Sequence, residues 1–256
     1  MRRFGSACVA LLFCLLPGLR SAAAANLTVC GTLTLQRTLE EVVSQYQTES
    51  GRAVDLYFAD TPSLQQHIET GGHCDVAILP TSNMMLLAAT GTVFGSSAIE
   101  FARSRMGIVI KAGAPRPSID TAEKLRALFI GAKSVAYSRD EPGGEQLLLL
   151  LEGLGAAEEV AYKLVGVPGT DGAIDQAIAG GRAEIGVQLI SDVQASLGVE
   201  LLSAWPSEVQ RNIGFAGAIS RKSTESVPAR DLLAYISSPK PAEIYRRHGL
   251  DPATPE

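Results

Sequence analysis

Basic residues are scarce in this sequence. Its 22 lysines and arginines are outnumbered by 27 aspartates and glutamates, for a formal net charge of −5. Nucleic-acid binding needs a basic face, so that class is set aside and no nucleic-acid partner is expected. Histidine is scarcer still: there are three, His67, His73 and His248, and the one close pairing of metal-ligand types is His73 with Cys74. No ligand spacing for zinc results, and neither a metal nor another cofactor is expected. Catalytic signatures are missing too, with no nucleophile elbow, zinc-protease helix, P-loop or dinucleotide fingerprint in the chain. There is no Ser- or Gly-rich linker, repeat or low-complexity tract, which excludes a string of bead-like domains.

Long apolar runs are confined to the beginning. "ACVALLFCLLPGL" follows the basic start "MRR" and precedes the small residues "SAAAA". It falls short of the roughly 20 apolar residues a membrane helix needs and has the layout of a secretory signal. Cleavage is expected near Ala25, giving a mature chain from about Asn26 in the periplasm. Arg2, Arg3 and Arg20 lie in the segment removed, so the net charge moves from −5 to −8. Cys8 and Cys14 leave with it, while Cys30 and Cys74 remain. An oxidising compartment invites those two to pair. The strand reading speaks against it. With Cys30 near the end of one strand and Cys74 opening its parallel neighbour, an offset of about four residues at ~3.3 Å each exceeds the ~7 Å limit for bridging. Free thiols are therefore expected.

What is present is an alternation of strands and helices. "LTVCG" reads as a short buried strand and "AVDLYFA" and "CDVAILP" as the next two strands, and between them lie the helices "LQRTLEEVVSQYQTES" and "PSLQQHIETG". The first helix places Leu35, Leu39, Val42, Val43 and Tyr46 on one face. The pattern recurs through "RMGIVIKAG", a helix capped by Asp120, "SVAYS", "GGEQLLLLLEGLG", "YKLVGV", "DGAIDQAIAGG" and "AEIGVQLI". It closes on "IGFAGAIS" and two helices. Short connections of this kind imply an α/β fold with doubly wound, mainly parallel sheets, and the number of strands suggests two lobes.

In such sheets ligands sit beyond the carboxyl ends of the strands, where helix N-termini point. Four of those corners carry hydroxyls or glycines: Thr32 and Thr34; Thr61 as N-cap with Pro62 behind it; Gly143 and Gly144; and Thr170 or Asp171 as N-cap. Singly these are ordinary caps. Together, amides bearing about half a positive charge per helix end make a small-anion site without a lysine or arginine.

The run from "LTVCGTLTLQ" to "LPTSNMM" resembles the periplasmic molybdate-binding proteins, solute receptors of ABC importers, and the likeness extends to "SPKPAEIYRRHGL". It implies a type II periplasmic binding protein with a ligand cleft between two hinged lobes. The lobes would be residues 26–104 with 216–256, and residues 105–215. It further implies a monomer that captures a small anion and passes it to an ABC permease. The family's two serines fall on Thr34 and Thr61, its next amide donor on Gly143, a further amide on Asp171 and its tyrosine on Leu189. The last two depart from the pattern, because an aspartate repels a dianion and a leucine donates nothing. "VAYSRDEPGGEQ", "AEIGVQLISDV" and "WPSEVQRNIGFAGAIS" resemble a branch that includes a periplasmic aconitate isomerase. That branch implies a carboxylate ligand, with Ser138, Arg139 and Gln188 as further contacts, and as the alternative an isomerase of a tricarboxylic acid. Asp60, Glu141 and Asp171 are then candidate bases.

The intact mass of the exported protein is expected to place its N-terminus at about Asn26. A mass that retains residues 1–25 would overturn the signal reading.

Overall fold

The computed structural model describes residues 26–253 apart from residue 171 and residues 194–196; the expected signal segment and Asp171 therefore lie outside the described residues. The chain opens with β1 (Leu27–Thr32), α1 (Gln36–Ser50), β2 (Val54–Ala59), α2 (Thr61–Glu69), β3 (Val76–Pro80) and α3 (Thr81–Ala89). A long strand, β4 (Ile99–Lys111), leads to α4 (Ala122–Gly131), β5 (Val135–Ser138), α5 (Pro142–Gly153) and α6 (Ala157–Ala161). Next come β6 (Leu164–Val167), α7 (Ala173–Ala179), β7 (Ile185–Leu189) and β8 (Val199–Ala204). The chain returns through β9 (Asn212–Ile219) to α8 (Ser226–Ile236), α9 (Ala242–Arg247) and β10 (Leu250–Pro252).

The strands follow the order β2-β1-β3-β9-β4-β7-β5-β6, with β8 and β10 also pairing β4. The β2-β1-β3 and β7-β5-β6 groups are parallel, while β9 and β4 run antiparallel to their neighbours. β4 is shared. Its Ile99–Arg105 portion pairs with β9, and from Met106 onwards it pairs with β7 and β8. Two lobes result, each a mixed sheet in which a three-stranded parallel group is joined to antiparallel strands, with helices on both faces.

Strand pleating sorts the core into layers, since successive side chains point to opposite faces. In the first lobe Leu27, Val29, Val76 and Ile78 pack with Leu39, Val42, Val43 and Tyr46 of α1. Cys30, Ala77 and Leu79 face the other way, onto Leu64 and Ile68 of α2 and Met84 and Leu87 of α3. The second lobe repeats the scheme, with Val135, Ile185 and Val187 on the α5 side and Val109, Ala136 and Val167 on the α7 side. Each fully buried leucine, isoleucine or valine contributes roughly 1.5–3 kcal/mol. A strand buried on both faces thus has good reason to read as a continuous apolar run.

Several local expectations are corrected. The cap of α2 is Asp60, whose carboxylate accepts from the Ser63 amide, and Thr61 is the first helical residue. The cap of α4 is Thr121, accepting from Lys124 N, while Asp120 pairs with the Lys124 ammonium. α7 is preceded by Gly172 at φ 69° in place of Thr170. The main correction is the disulfide. Cys30 and Cys74 are bonded, with Cα atoms 5.9 Å apart. β3 begins at Val76, not at Cys74. Asp75 still bonds through its backbone to Thr28 and Ser220, but Cys74 lies outside the strand, and the chain turns it onto the layer that Cys30 already faces. The offset inferred from a strand running straight through Cys74 does not arise.

Non-reducing mass spectrometry is expected to show the mature protein two hydrogens lighter, with both cysteines in one cross-linked peptide. Cys30→Ser with Cys74→Ser is expected to lower unfolding stability by about 2–4 kcal/mol in denaturant titration. An unchanged midpoint would show that the bridge stabilises nothing.

Candidate functional site

The cleft lies where the elements of the two lobes meet, and its empty space is about 640 Å³, partly open to solvent. From the first lobe come Leu33 and Thr34 of the turn leading into α1 and Pro80 at the end of β3, and β9, where the chain crosses back between the lobes, brings Ile213 and Phe215. From the second come Ser138 at the end of β5, Glu141 to Gly144 at the start of α5, Pro168 to Thr170 and Gly172 to Ile174 around the entry to α7, and Val187, Gln188 and Leu189 of β7. No lysine, arginine or histidine lines it among the described residues, and Glu141 and Asp192 bring acidic groups. Any attraction for an anion must therefore come from backbone amides, hydroxyls and amide side chains.

The donors are built by close packing. As the second residue of α5, Gly143 has no amide acceptor inside its own helix. The first turn of α5 presses so closely on β5 that a Cβ on Gly144 would lie 1.8 Å from the Ser138 carbonyl oxygen. A side chain there would push the helix start out of the cleft. The Ser138 hydroxyl lines the cavity and is buried with no partner among the described residues, a cost of roughly 1–3 kcal/mol that a ligand would offset. Gln188 is almost buried, and its Nε2 donates to Asp175 Oδ1 at 2.6 Å. The carboxylate admits only the donor end of that amide, so the ring of contacts behind β7 fixes the side chain's orientation.

The remaining expected residues divide. Thr34 reaches the cleft wall, and Leu189 stands there as an apolar surface. Thr61 is buried and sits behind Glu141. Its amide donates to Glu141 Oε1 at 3.0 Å and its hydroxyl to Oε2 at 2.7 Å. The hydroxyl's single proton is thereby used, so the Thr32 hydroxyl, 2.9 Å away, is the donor in their contact. Arg139 is not brought to the cleft. Its Nη1 donates to the Gly166 carbonyl on β6 at 3.0 Å, and its side chain lies across that strand. Asp171 falls outside the described residues. Sequence reasoning named Glu141 as a possible base and did not anticipate that it would join the lobes; nothing local signals a contact 80 positions away.

Burial pushes the Glu141 carboxyl above its ordinary value of 4.5, the Thr61 hydrogen bonds pull it back, and the charges of Asp60 and Asp140 raise it further. Because the folded value lies above the unfolded one, its stabilising contribution is complete below pH 4.5 and fades as pH rises through the raised value. Glu141→Gln, which imitates the protonated form, is expected to be more stable than wild type at pH 7 and to lose that advantage towards pH 4. Denaturant melts at the two pH values check this, and a constant difference would show that Glu141 titrates normally.

On this geometry the comparisons with known proteins can be placed. The family described as bacterial extracellular solute-binding protein matches residues 27–251. The chain is 27% identical over 248 residues to an aconitate isomerase from a Pseudomonas species, across 95% of this chain and 94% of that one. It is 23% identical to the molybdate-binding protein ModA of Escherichia coli strain K12, across 88% of each. The solved periplasmic molybdate-binding protein of Azotobacter vinelandii shares the fold at a TM-score of 0.74 and 19% identity, covering 90% of this chain and all of that one. With nearly every described element inside the matched span, the chain belongs to the bacterial extracellular solute-binding protein family.

Proposed function

We propose that this protein captures a small anion in the periplasm, as a monomer, and delivers it to the permease of an ABC importer. The observation that carries the reading is the interlobe cleft, where Ser138 offers a buried hydroxyl, without a partner among the described residues, beside the amide of Gly143. Around them Thr34 and Gln188 supply further polar contacts. A ligand held there exchanges its hydration shell for fixed donors, and closure of the lobes excludes water. The lobes would be residues 26–104 with 216–256, and residues 105–215, moving about β4 and the segment that returns to β9. The relatives support the same reading: a molybdate-binding protein matches across most of its length, and a molybdate-binding structure shares the fold.

A second reading has its own support. The aconitate isomerase match spans 95% of the chain, and the cleft holds a carboxyl group, Glu141, whose pKa is raised. Isomerisation of a tricarboxylic acid needs a base to take a proton beside a carboxyl group and an acid to return it at another carbon. A carboxyl poised closer to neutrality suits both roles.

A thermal-shift screen with molybdate, tungstate, sulfate, phosphate, citrate and both aconitates is expected to raise the melting temperature with at least one anion. Ser138→Ala or Thr34→Ala should then weaken binding by about 1 kcal/mol, roughly fivefold, in calorimetry. No shift with any anion would overturn the capture reading. An absorbance assay showing cis- to trans-aconitate conversion would select the isomerase.

A further inference from the structure

Resting on the anion-capture reading, we infer that Glu141 is the residue that sets the ligand class: it turns the cleft away from compact tetrahedral dianions and reserves it for a small organic acid. The donors that α2 offers are already engaged. Each oxygen of the Glu141 carboxylate accepts from one donor of Thr61, the amide at 3.0 Å and the hydroxyl at 2.7 Å. Each of those donors has one proton, so Thr61 has none left for a ligand while Glu141 is in place.

Glu141 is held there from the other side as well. A Cβ on Gly169 would lie 2.9 Å from Glu141 Cγ, so the stem runs through a slot that only a glycine leaves open. This carboxylate is a fixed part of the cleft wall, not a mobile surface group.

Charge points the same way. Glu141 lines a cavity that no lysine, arginine or histidine faces among the described residues. Two like charges about 5 Å apart at an effective dielectric of ~20 disfavour each other by roughly a hundredfold or more. A tetrahedral dianion carries both its charges on one small centre and cannot hold either away from Glu141. An organic acid presents one carboxylate to Ser138 and the Gly143 amide and spaces any others along its skeleton.

The walls reward that skeleton. Leu33, Pro80, Leu189, Ile213 and Phe215 give apolar surface that a carbon skeleton can cover. Four oxoanion oxygens would gain nothing from those residues.

Calorimetry on the mature protein tests this, with molybdate and sulfate as the oxoanion probes and lactate, succinate, citrate and trans-aconitate as the organic acids. Wild type is expected to bind at least one organic acid more tightly than either oxoanion. Glu141→Ala frees the Thr61 donors and removes the charge, so its affinity for molybdate or sulfate is expected to rise by about tenfold or more. Adding Thr61→Ala removes the freed hydroxyl and should take back part of that gain, which a merely structural role for Glu141 would not predict. Glu141→Gln, isosteric and uncharged, removes the charge while keeping an acceptor for Thr61, and so reads the charge effect alone should the alanine variant fold poorly. The inference is overturned if wild type binds an oxoanion as tightly as the folded variants do, or if neither variant gains oxoanion affinity. A wild type that binds no probe, beside a variant that gains molybdate, would remove the capture reading and keep this role for Glu141. An organic acid bound by wild type with no gain in either variant would sink the role of Glu141 alone.

Discussion

Backbone pairing along β4 is the constraint on which the positions of the cleft residues depend. Its 13 residues, at about 3.3–3.4 Å each, extend roughly 44 Å. The partners change between Arg105 and Met106, from β9 to β7 and β8. A strand committed to neighbours on both sides cannot slide by one residue without turning its apolar side chains to the wrong face. The two sheets are thus held in one register. β9 brings Ile213 and Phe215 to one wall of the cleft, and β7 brings Gln188 and Leu189 to the other. The layout of a clamshell then depends on how one strand divides its hydrogen bonds.

Within that frame no cation lines the cleft among the described residues. Arg139, the one cation expected near the ligand, instead satisfies a carbonyl on β6. The polar work falls to groups whose positions are set by packing: a helix start held against Ser138 by Gly144, and an amide turned by Asp175. Preorganised dipoles of this kind lose little on binding, because the folding of each lobe has already fixed them. Glu141 is the exception, a charge placed across the lobe boundary onto Thr61.

Much of the first lobe was legible because β1 and β3 are buried on both faces and α1 is buried on one, which leaves clear apolar periods at Leu39, Val42, Val43 and Tyr46. The corners were legible as a class, since Thr34, Gly143 and Ser138 are residue types that helix starts and strand ends favour. What escaped depends on tertiary structure. The early part of β4 mixes exposed Arg103 and Arg105 with buried Phe101 and Ala102, and its pairing with β9 joins residues that are distant in sequence. α3 has no clear apolar face, with Met85 and Leu86 exposed beside buried Met84 and Leu87. Asp60 and Thr61 are both cap-forming types, and the extended backbone at Asp60 decides between them. The disulfide escaped because two residues off a strand end are enough to redirect a side chain.

The position of that disulfide has a consequence for assembly. A chain delivered from its N-terminus releases β1, α1, β2, α2 and β3 first, and both cysteines lie in that stretch. β9, the strand that covers the far edge of β3, arrives only after the whole second lobe has emerged. Throughout that interval β3 presents an open edge, the kind of surface on which chains aggregate. A cross-link between Cys30 and the approach to β3 holds the three-stranded parallel unit in register while it waits. The bond thus acts as a temporary substitute for a neighbour not yet delivered, and the need for it is greatest before the protein is complete.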